Sequence, residues 1–170
     1  MSANLRMTLV TIVVFFLDRV TKIAVLKYLS KVDGEEKVVI DGFFKLVHWG
    51  NTGAAWSMFQ DKNSQLAIVS LLALLGLFIW RHHFDTRTLL GQISLGLIFG
   101  GILGNLYDRL FIHYVVDFIR FYIERRGGSE IGFPAFNVAD SGICVGVGLL
   151  FFISWQQEMA KGAERKSAAP

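Results

Sequence analysis

The chain has 170 residues, 53% of them hydrophobic, and a mean hydropathy of +0.47, which excludes an ordinary soluble domain of this size. Its net charge of +3 at pH 7 is accounted for by membrane asymmetry and calls for no nucleic-acid partner. The one cysteine, Cys144, excludes an intramolecular disulfide framework.

About 20 apolar residues cross a bilayer core, and four stretches approach that length: 7–26, 64–80, 89–107 and 138–155. The expected fold class is an all-α membrane protein of four transmembrane helices, built as a single membrane-embedded domain over residues 1–170. A disordered tail is expected over 158–170. The first stretch has a weakly charged start (Arg6), is interrupted by Asp18, Arg19 and Lys22, and is followed by no small-residue cleavage site. It is read as a retained helix rather than a cleaved signal peptide. Arg6, the Arg81–Arg87 segment and the tail bearing Lys161, Arg165 and Lys166 are basic for their length. Cytoplasmic termini and two long external segments follow from that bias.

The first external segment, 27–63, holds two runs of strand formers, 37–40 and 43–49, separated by Asp41-Gly42. That dipeptide signals a hairpin, so a small extracytoplasmic β-sheet is expected, its aromatic side chains turned toward lipid or substrate. Next comes Asn51-Thr52-Gly53-Ala54-Ala55-Trp56-Ser57-Met58-Phe59, either a segment dipping toward the membrane or a plain connection. The second external segment, 108–137, carries Phe118, Ile119, Phe121, Tyr122 and Ile123 and reads as an amphipathic external loop. Within it, residues 124–132 include Gly127 and Gly128 and form either a lid or a solvated turn.

Asp117 and Asp140 stand where these polar segments meet apolar ones. An ionisable side chain at the edge of lipid is expensive, which marks it as a candidate functional group. Two carboxyls held together share one proton and can activate water, one as base and the other as acid. Spacing alone permits that pairing without requiring it; structural or ion-binding roles stay open. Asn137 is placed to cap the last helix and to orient Asp140, three residues on. Gly96, Gly100 and Gly104 recur every fourth residue, as in close helix packing. Gly101, Asn105 and Arg109 share an adjoining face, with Arg109 either reaching a ligand or snorkelling to the interface. Asp18 and Lys22 share a face of the first helix and either pair with each other or shape a site; Arg19 points elsewhere. Cys144 is read as a buried, inert thiol, and no pair of His or Cys residues has zinc-ligand spacing.

The chain resembles the lipoprotein signal peptidase family, also called signal peptidase II, through five ordered motifs. They are Leu17-Asp18-Arg19-Val20-Thr21-Lys22, Asn51-Thr52-Gly53-Ala54-Ala55-Trp56, the run from Gly100 to Arg109, Val115-Val116-Asp117-Phe118, and Phe136-Asn137-Val138-Ala139-Asp140-Ser141. The resemblance implies a multi-pass aspartic endopeptidase of the bacterial cytoplasmic (inner) membrane, with its active site near the outer face; nothing in the sequence demands a partner chain, so a monomer is expected. Its implied substrates are prolipoproteins carrying a diacylglyceryl-modified cysteine, cut just before that cysteine, with no metal and no cofactor. Asp117 and Asp140 match the catalytic pair. Asp18, Lys22, Asn51, Gly53, Gly101, Asn105, Arg109, Asn137 and Ala139 match positions that support the site or hold substrate. Trp56 departs from the more usual phenylalanine, and the segment between the two aspartates is somewhat long. A proton-relay transporter would instead want carboxylates deep within the spans, and a metal-dependent lipid phosphotransferase would want more clustered acidic ligands.

Overall fold

The computed structural model describes residues 2–29, 36–53, 58–84, 86–125 and 127–167, with side chains described as far as residue 162. Four helices, α1 (Ala3–Tyr28), α2 (Asn63–Trp80), α3 (Leu89–Phe111) and α4 (Val138–Ser167), are interleaved with four strands. The strands are β1 (Lys37–Ile40), β2 (Phe44–Asn51), β3 (Val115–Glu124) and β4 (Glu130–Gly132). Trp56 and its neighbours 54–57 lie outside the described residues, so the dip expected there is not addressed.

Among the described residues, three helices are long and apolar enough to cross a membrane: Asn63–His83 (α2 with the short turn after it), Leu89–Phe111 and Val138–Gly162. α1 is long enough, but Asp18, Arg19 and Lys22 interrupt its apolar run. α4 continues as helix to Ser167, where a disordered tail was expected from residue 158. Helix formers fill that stretch (Glu, Met, Ala, Lys, Arg), and Glu158 pairs with Lys161 one turn on at 3.1 Å.

α3 is the central helix. Its glycines form the contact surfaces, because a helix without Cβ atoms lets a neighbour's backbone approach. A Cβ on Gly96 would lie 2.6 Å from Val10 Cβ, and one on Gly100 would lie 2.7 Å from Val14 Cβ, so this row receives α1. Gly101 turns to α4 and meets the Ala139 carbonyl and Ile143. α2 packs more loosely, against α3, and buries only Ala67. Leu71, Leu72, Leu75 and Phe78 stand exposed on it, as suits a helix whose solvent is lipid.

The sheet is antiparallel throughout, in the order β1-β2-β3-β4. Asp41-Gly42 makes the expected hairpin turn, with Gly42 at φ +68° and Ile40 paired to Phe44. The second external segment differs from expectation. Rather than a loop, Val115–Glu124 is a ten-residue strand lying against β2, with Asn51 opposite Val115 and Trp49 opposite Asp117. Its β-branched and aromatic residues favour that state. The stretch read as lid or turn closes the β3–β4 hairpin, where Gly127 and Gly128 adopt positive φ. Val116 and Phe118 pack with Val25 of α1 beside Leu46 and Val138, which seats the sheet on one end of the bundle.

The glycine rows predict their own test. Gly100→Ala places a methyl against Val14 Cβ and the Thr11 carbonyl, 2.7 and 2.8 Å away, at an expected cost of about 1–3 kcal/mol. Gly148→Ala, with nothing within 4 Å of the added carbon, is expected to be neutral or mildly stabilising. Thermal unfolding of both variants in detergent checks the contrast.

Candidate active site

The path to Asp117 begins at the end of α3. The Asp108 carbonyl accepts from the amides of Ile112 (2.8 Å) and His113 (2.9 Å), and His113 takes a left-handed conformation at φ +68°. That cap stops the helix and reverses the chain. The Asp108 carboxylate then accepts from the Val116 amide at 3.2 Å. The first turn of β3 is thereby fixed to the helix end, with Asp117 as the next residue.

Asp140 is placed by a different device. Asn137 caps α4: its Oδ1 accepts from the Asp140 amide at 2.9 Å, and Asp140 Oδ2 accepts in return from the Asn137 amide at 3.1 Å. This reciprocal box satisfies two otherwise unpaired helix-end donors. It also holds the Asp140 carboxylate at the mouth of the bundle.

Side-chain amides join the two carboxylates. Asn137 Nδ2 donates to Asp117 Oδ1 at 2.8 Å, and Asn51 Nδ2 donates to Asp117 Oδ2 at 3.0 Å. Asn105 Nδ2 donates to Asp140 Oδ1 at 2.7 Å. Asn105 Oδ1 accepts from Asn137 Nδ2 at 3.2 Å and from Lys22 Nζ at 3.0 Å. The chain Asn51–Asp117–Asn137–Asn105–Asp140 thus links β2, β3, the α4 cap and α3.

Beneath it lies a buried charge cluster. Lys22 Nζ sits 2.8 Å from both Asp18 Oδ2 and Asp108 Oδ2, and all three side chains are fully buried. Arg19 pairs with the other Asp108 oxygen and stacks 4.2 Å from the Tyr107 ring centroid. Two acids and two bases cancel, which is what burial of charge demands. Asp18 Oδ1 also accepts from the Ala139 amide at 3.0 Å, tying α1 to the start of α4. Arg19 was expected to point away from this group; the bend of its long side chain toward Asp108 corrects that reading.

Arg109 lies on the same α3 face as Asn105. Its guanidinium donates to the Gly53 carbonyl at 3.2 Å, and Asn51 Oδ1 accepts from the Gly53 amide at 2.9 Å. Asn63 Nδ2 donates to the Arg109 carbonyl at 2.9 Å, fastening the start of α2. Gly101 leaves room for the Ala139 backbone beside Asn105. All eleven residues singled out in the sequence therefore gather at one end of the bundle. Asp108 was not among them, although it stands inside the quoted Gly100–Arg109 run. Its signal was an acid one residue before Arg109 with no partner on its own helix. Cys144 is exposed on α4, not buried as expected, because that face of the helix is left uncovered among the described residues.

Burial, and secondarily the negative charge of Asp140, pushes Asp117 up to about 7, against the opposing hydrogen bonds of Asn51 and Asn137 and the charge of Lys22. Near neutral pH this carboxyl stands at the balance point between holding and releasing a proton, the condition for acid–base work.

The sequence model of the family described as Signal peptidase (SPase) II matches residues 10–156. A lipoprotein signal peptidase of Anoxybacillus flavithermus is 35% identical over 150 residues, covering 88% of this chain and 85% of its own. One from Clostridium acetobutylicum is 40% identical over 142 residues, covering 84% and 87%. A solved structure described as a bacterial membrane enzyme superposes with a TM-score of 0.76 at 30% identity, covering 91% of this chain and 90% of its own.

A raised carboxyl has a consequence for stability. Between about pH 4 and 7 the folded chain keeps on Asp117 a proton that the unfolded chain releases, so stability falls as pH rises through that window. Asp117→Asn removes this loss. Its unfolding free energy in detergent is expected to exceed that of the native protein at pH 8, by on the order of 2–4 kcal/mol, and to match it near pH 4. Lys22→Met should act oppositely, stranding Asp18 and Asp108 at a cost of about 3–5 kcal/mol.

Proposed function

The chain belongs to the signal peptidase II family, and on that premise we propose that it is an aspartic endopeptidase whose catalytic pair is Asp117 and Asp140. The family removes signal peptides from prolipoproteins, and with three apolar helices this is a bacterial inner-membrane protein. The observation that carries the aspartic reading is the bridging of two carboxylates by neutral amides: Asn137 to Asp117 at 2.8 Å and Asn105 to Asp140 at 2.7 Å. Neutral donors hold both groups without forcing either to ionise, so the pair can share one proton.

In the proposed reaction, the ionised carboxylate takes a proton from water as the oxygen attacks the scissile carbonyl carbon. The protonated carboxyl gives its proton to the carbonyl oxygen. The tetrahedral intermediate then collapses: its hydroxyl proton returns to one carboxylate, the C–N bond breaks, and the leaving amine takes a proton from the other. One acid and one carboxylate remain. The amine released is that of the cysteine, which carries a diacylglyceryl group. Arg109, with Gly53 and Asn51, shapes the side from which the peptide reaches the pair. Asp18, Lys22, Gly101 and Ala139 hold the ends of α1, α3 and α4 in register.

Four crossings are part of this reading. α1 supplies the fourth, since 26 residues extend about 39 Å. Its charges are cancelled inside the protein by Lys22, Asp18, Asp108 and Arg19 rather than turned to lipid. With the termini cytoplasmic, the pair lies near the outer face. The sheet covers it there, and the β3–β4 hairpin clamps the peptide from outside. One chain supplies every group named, so the working unit is a monomer.

Asp117→Asn and Asp140→Asn are each expected to lower release of the signal peptide from a diacylglyceryl-modified prolipoprotein by at least about a hundredfold while the variants stay folded. Near-normal cleavage by either, followed by gel shift, would remove that residue from the pair. The alkaline side is set by Asp117: above about 7 the shared proton is lost and both carboxyls are charged. The rate should fall there, and a flat profile to pH 9 would count against the mechanism. Deleting Gly127 and Gly128 should change the processing rate if the hairpin clamps substrate.

A further inference from the structure

At the end of the bundle away from Asp117 and Asp140 lies a cavity of about 210 Å³ bounded by the start of α1, the turn after α2 and the approach to α3. Gln92 and Asn105 are both on α3 and separated by 13 residues, a distance of about 20 Å along the axis. The cavity wall is mixed: Asn4, Arg81, His82, Thr86 and Gln92 supply polar groups, and Ala3 and Met7 are apolar.

Gln92 is the informative residue. It is 3% exposed, and its Nε2 donates to the Thr86 carbonyl at 2.9 Å. That bond fixes the amide orientation and leaves Oε1 as a buried acceptor with no partner among the described residues. A buried acceptor left unpaired is costly, and Gln92 lines the cavity, so a donor lodged there is the partner this amide lacks. Beside it, Arg81 donates to the Phe78 carbonyl at 2.6 Å and rests 4.3 Å from the Phe78 ring centroid, which pins its cation at the wall. Arg6, Arg81 and Arg87 lie in these segments with Asp85 as the only acid between positions 3 and 92 that is not already placed near the opposite end or in the 31–61 segment.

We infer that this cavity binds the headgroup of a membrane phospholipid that combines a phosphodiester with a hydrogen-bond donor, as phosphoethanolamine does. The phosphate answers Arg81 and His82, the ammonium answers Gln92 Oε1, and the acyl chains leave along the exposed apolar faces of α1 and α2. Phosphocholine has the same phosphate but no donor, and is disfavoured for that reason. By the topology proposed above the lipid belongs to the cytoplasmic leaflet. The inference does not depend on the chemistry at Asp117 and Asp140.

The test is native mass spectrometry of the full chain released from detergent with equimolar phosphatidylethanolamine and phosphatidylcholine. The native protein is expected to retain phosphatidylethanolamine about tenfold over phosphatidylcholine. Arg81→Gln, at a half-buried position, should reduce retention of both lipids, and Gln92→Leu should erase the preference between them. Both variants should still cleave prolipoprotein in detergent, which separates failure here from failure of the peptidase reading. Equal retention of the two lipids by the native protein would overturn the proposal, as would unchanged retention by Arg81→Gln. Displacement of the lipid by an equal concentration of soluble glycerophosphoethanolamine would overturn the lipid assignment and leave a site for a soluble phosphodiester.

Discussion

The ammonium of Lys22 is the interaction on which the rest depends. It is buried between two carboxylates, Asp18 and Asp108, at 2.8 Å each, and also donates to Asn105 Oδ1 at 3.0 Å. A cation cannot be an acceptor, so this last bond decides which way the Asn105 amide faces. With Oδ1 turned to Lys22, Nδ2 must turn to Asp140, and it does so at 2.7 Å. Asn137 Nδ2, directed at the same Oδ1, is then positioned to reach Asp117 as well. The orientation of the neutral bridge is thus inherited from a charge one residue further inside.

Such a cluster survives only if the helices around it are close enough to exclude lipid and water, and small residues make that possible. A Cβ at Gly104 would press on both the Asp18 carboxylate and Ala139. Ala139 is itself fully buried and gives its amide to Asp18. Larger side chains at either place would part α1, α3 and α4, and the unpaired charges left behind would cost more than the packing lost. Tight packing and charge neutrality are one constraint at this end of the bundle.

Much of this was legible in the sequence, for reasons that differ by element. The apolar stretches of α2, α3 and α4 announce themselves by length, and Asp41-Gly42 announces its turn. The face shared by Gly101, Asn105 and Arg109 follows from helical periodicity, which also put Asp18 over Lys22. Periodicity gives a face but not a partner. Arg19 and Asp108 are 89 residues apart, and nothing local joins them. β3 was missed for a related reason: its first four residues are all buried, with Val116 and Phe118 packed on Val25 of α1 and Asp117 bonded to Asn137 and Asn51, so the two-residue alternation that marks a half-buried strand is absent where it starts. The helical end of α4 was missed because apolarity was the signal being followed, and a polar helix extending past the bilayer carries none.

The choice of amides rather than cations around Asp117 and Asp140 follows from the work proposed for them. A lysine or arginine bonded directly to either carboxylate would favour its ionised form strongly, and a pair with both members charged has no acid to offer the carbonyl oxygen. An amide donor is weaker and uncharged, so it fixes geometry while leaving the proton free to sit on either side. Lys22 therefore acts at one remove, through Asn105. Arg109 likewise spends its bonds on the Gly53 and Asn105 carbonyls rather than on a carboxylate. Burial does the remaining part, holding Asp117 at about 7. A site built this way keeps its cations near enough to make burial of two acids tolerable and far enough away that one of them can remain an acid.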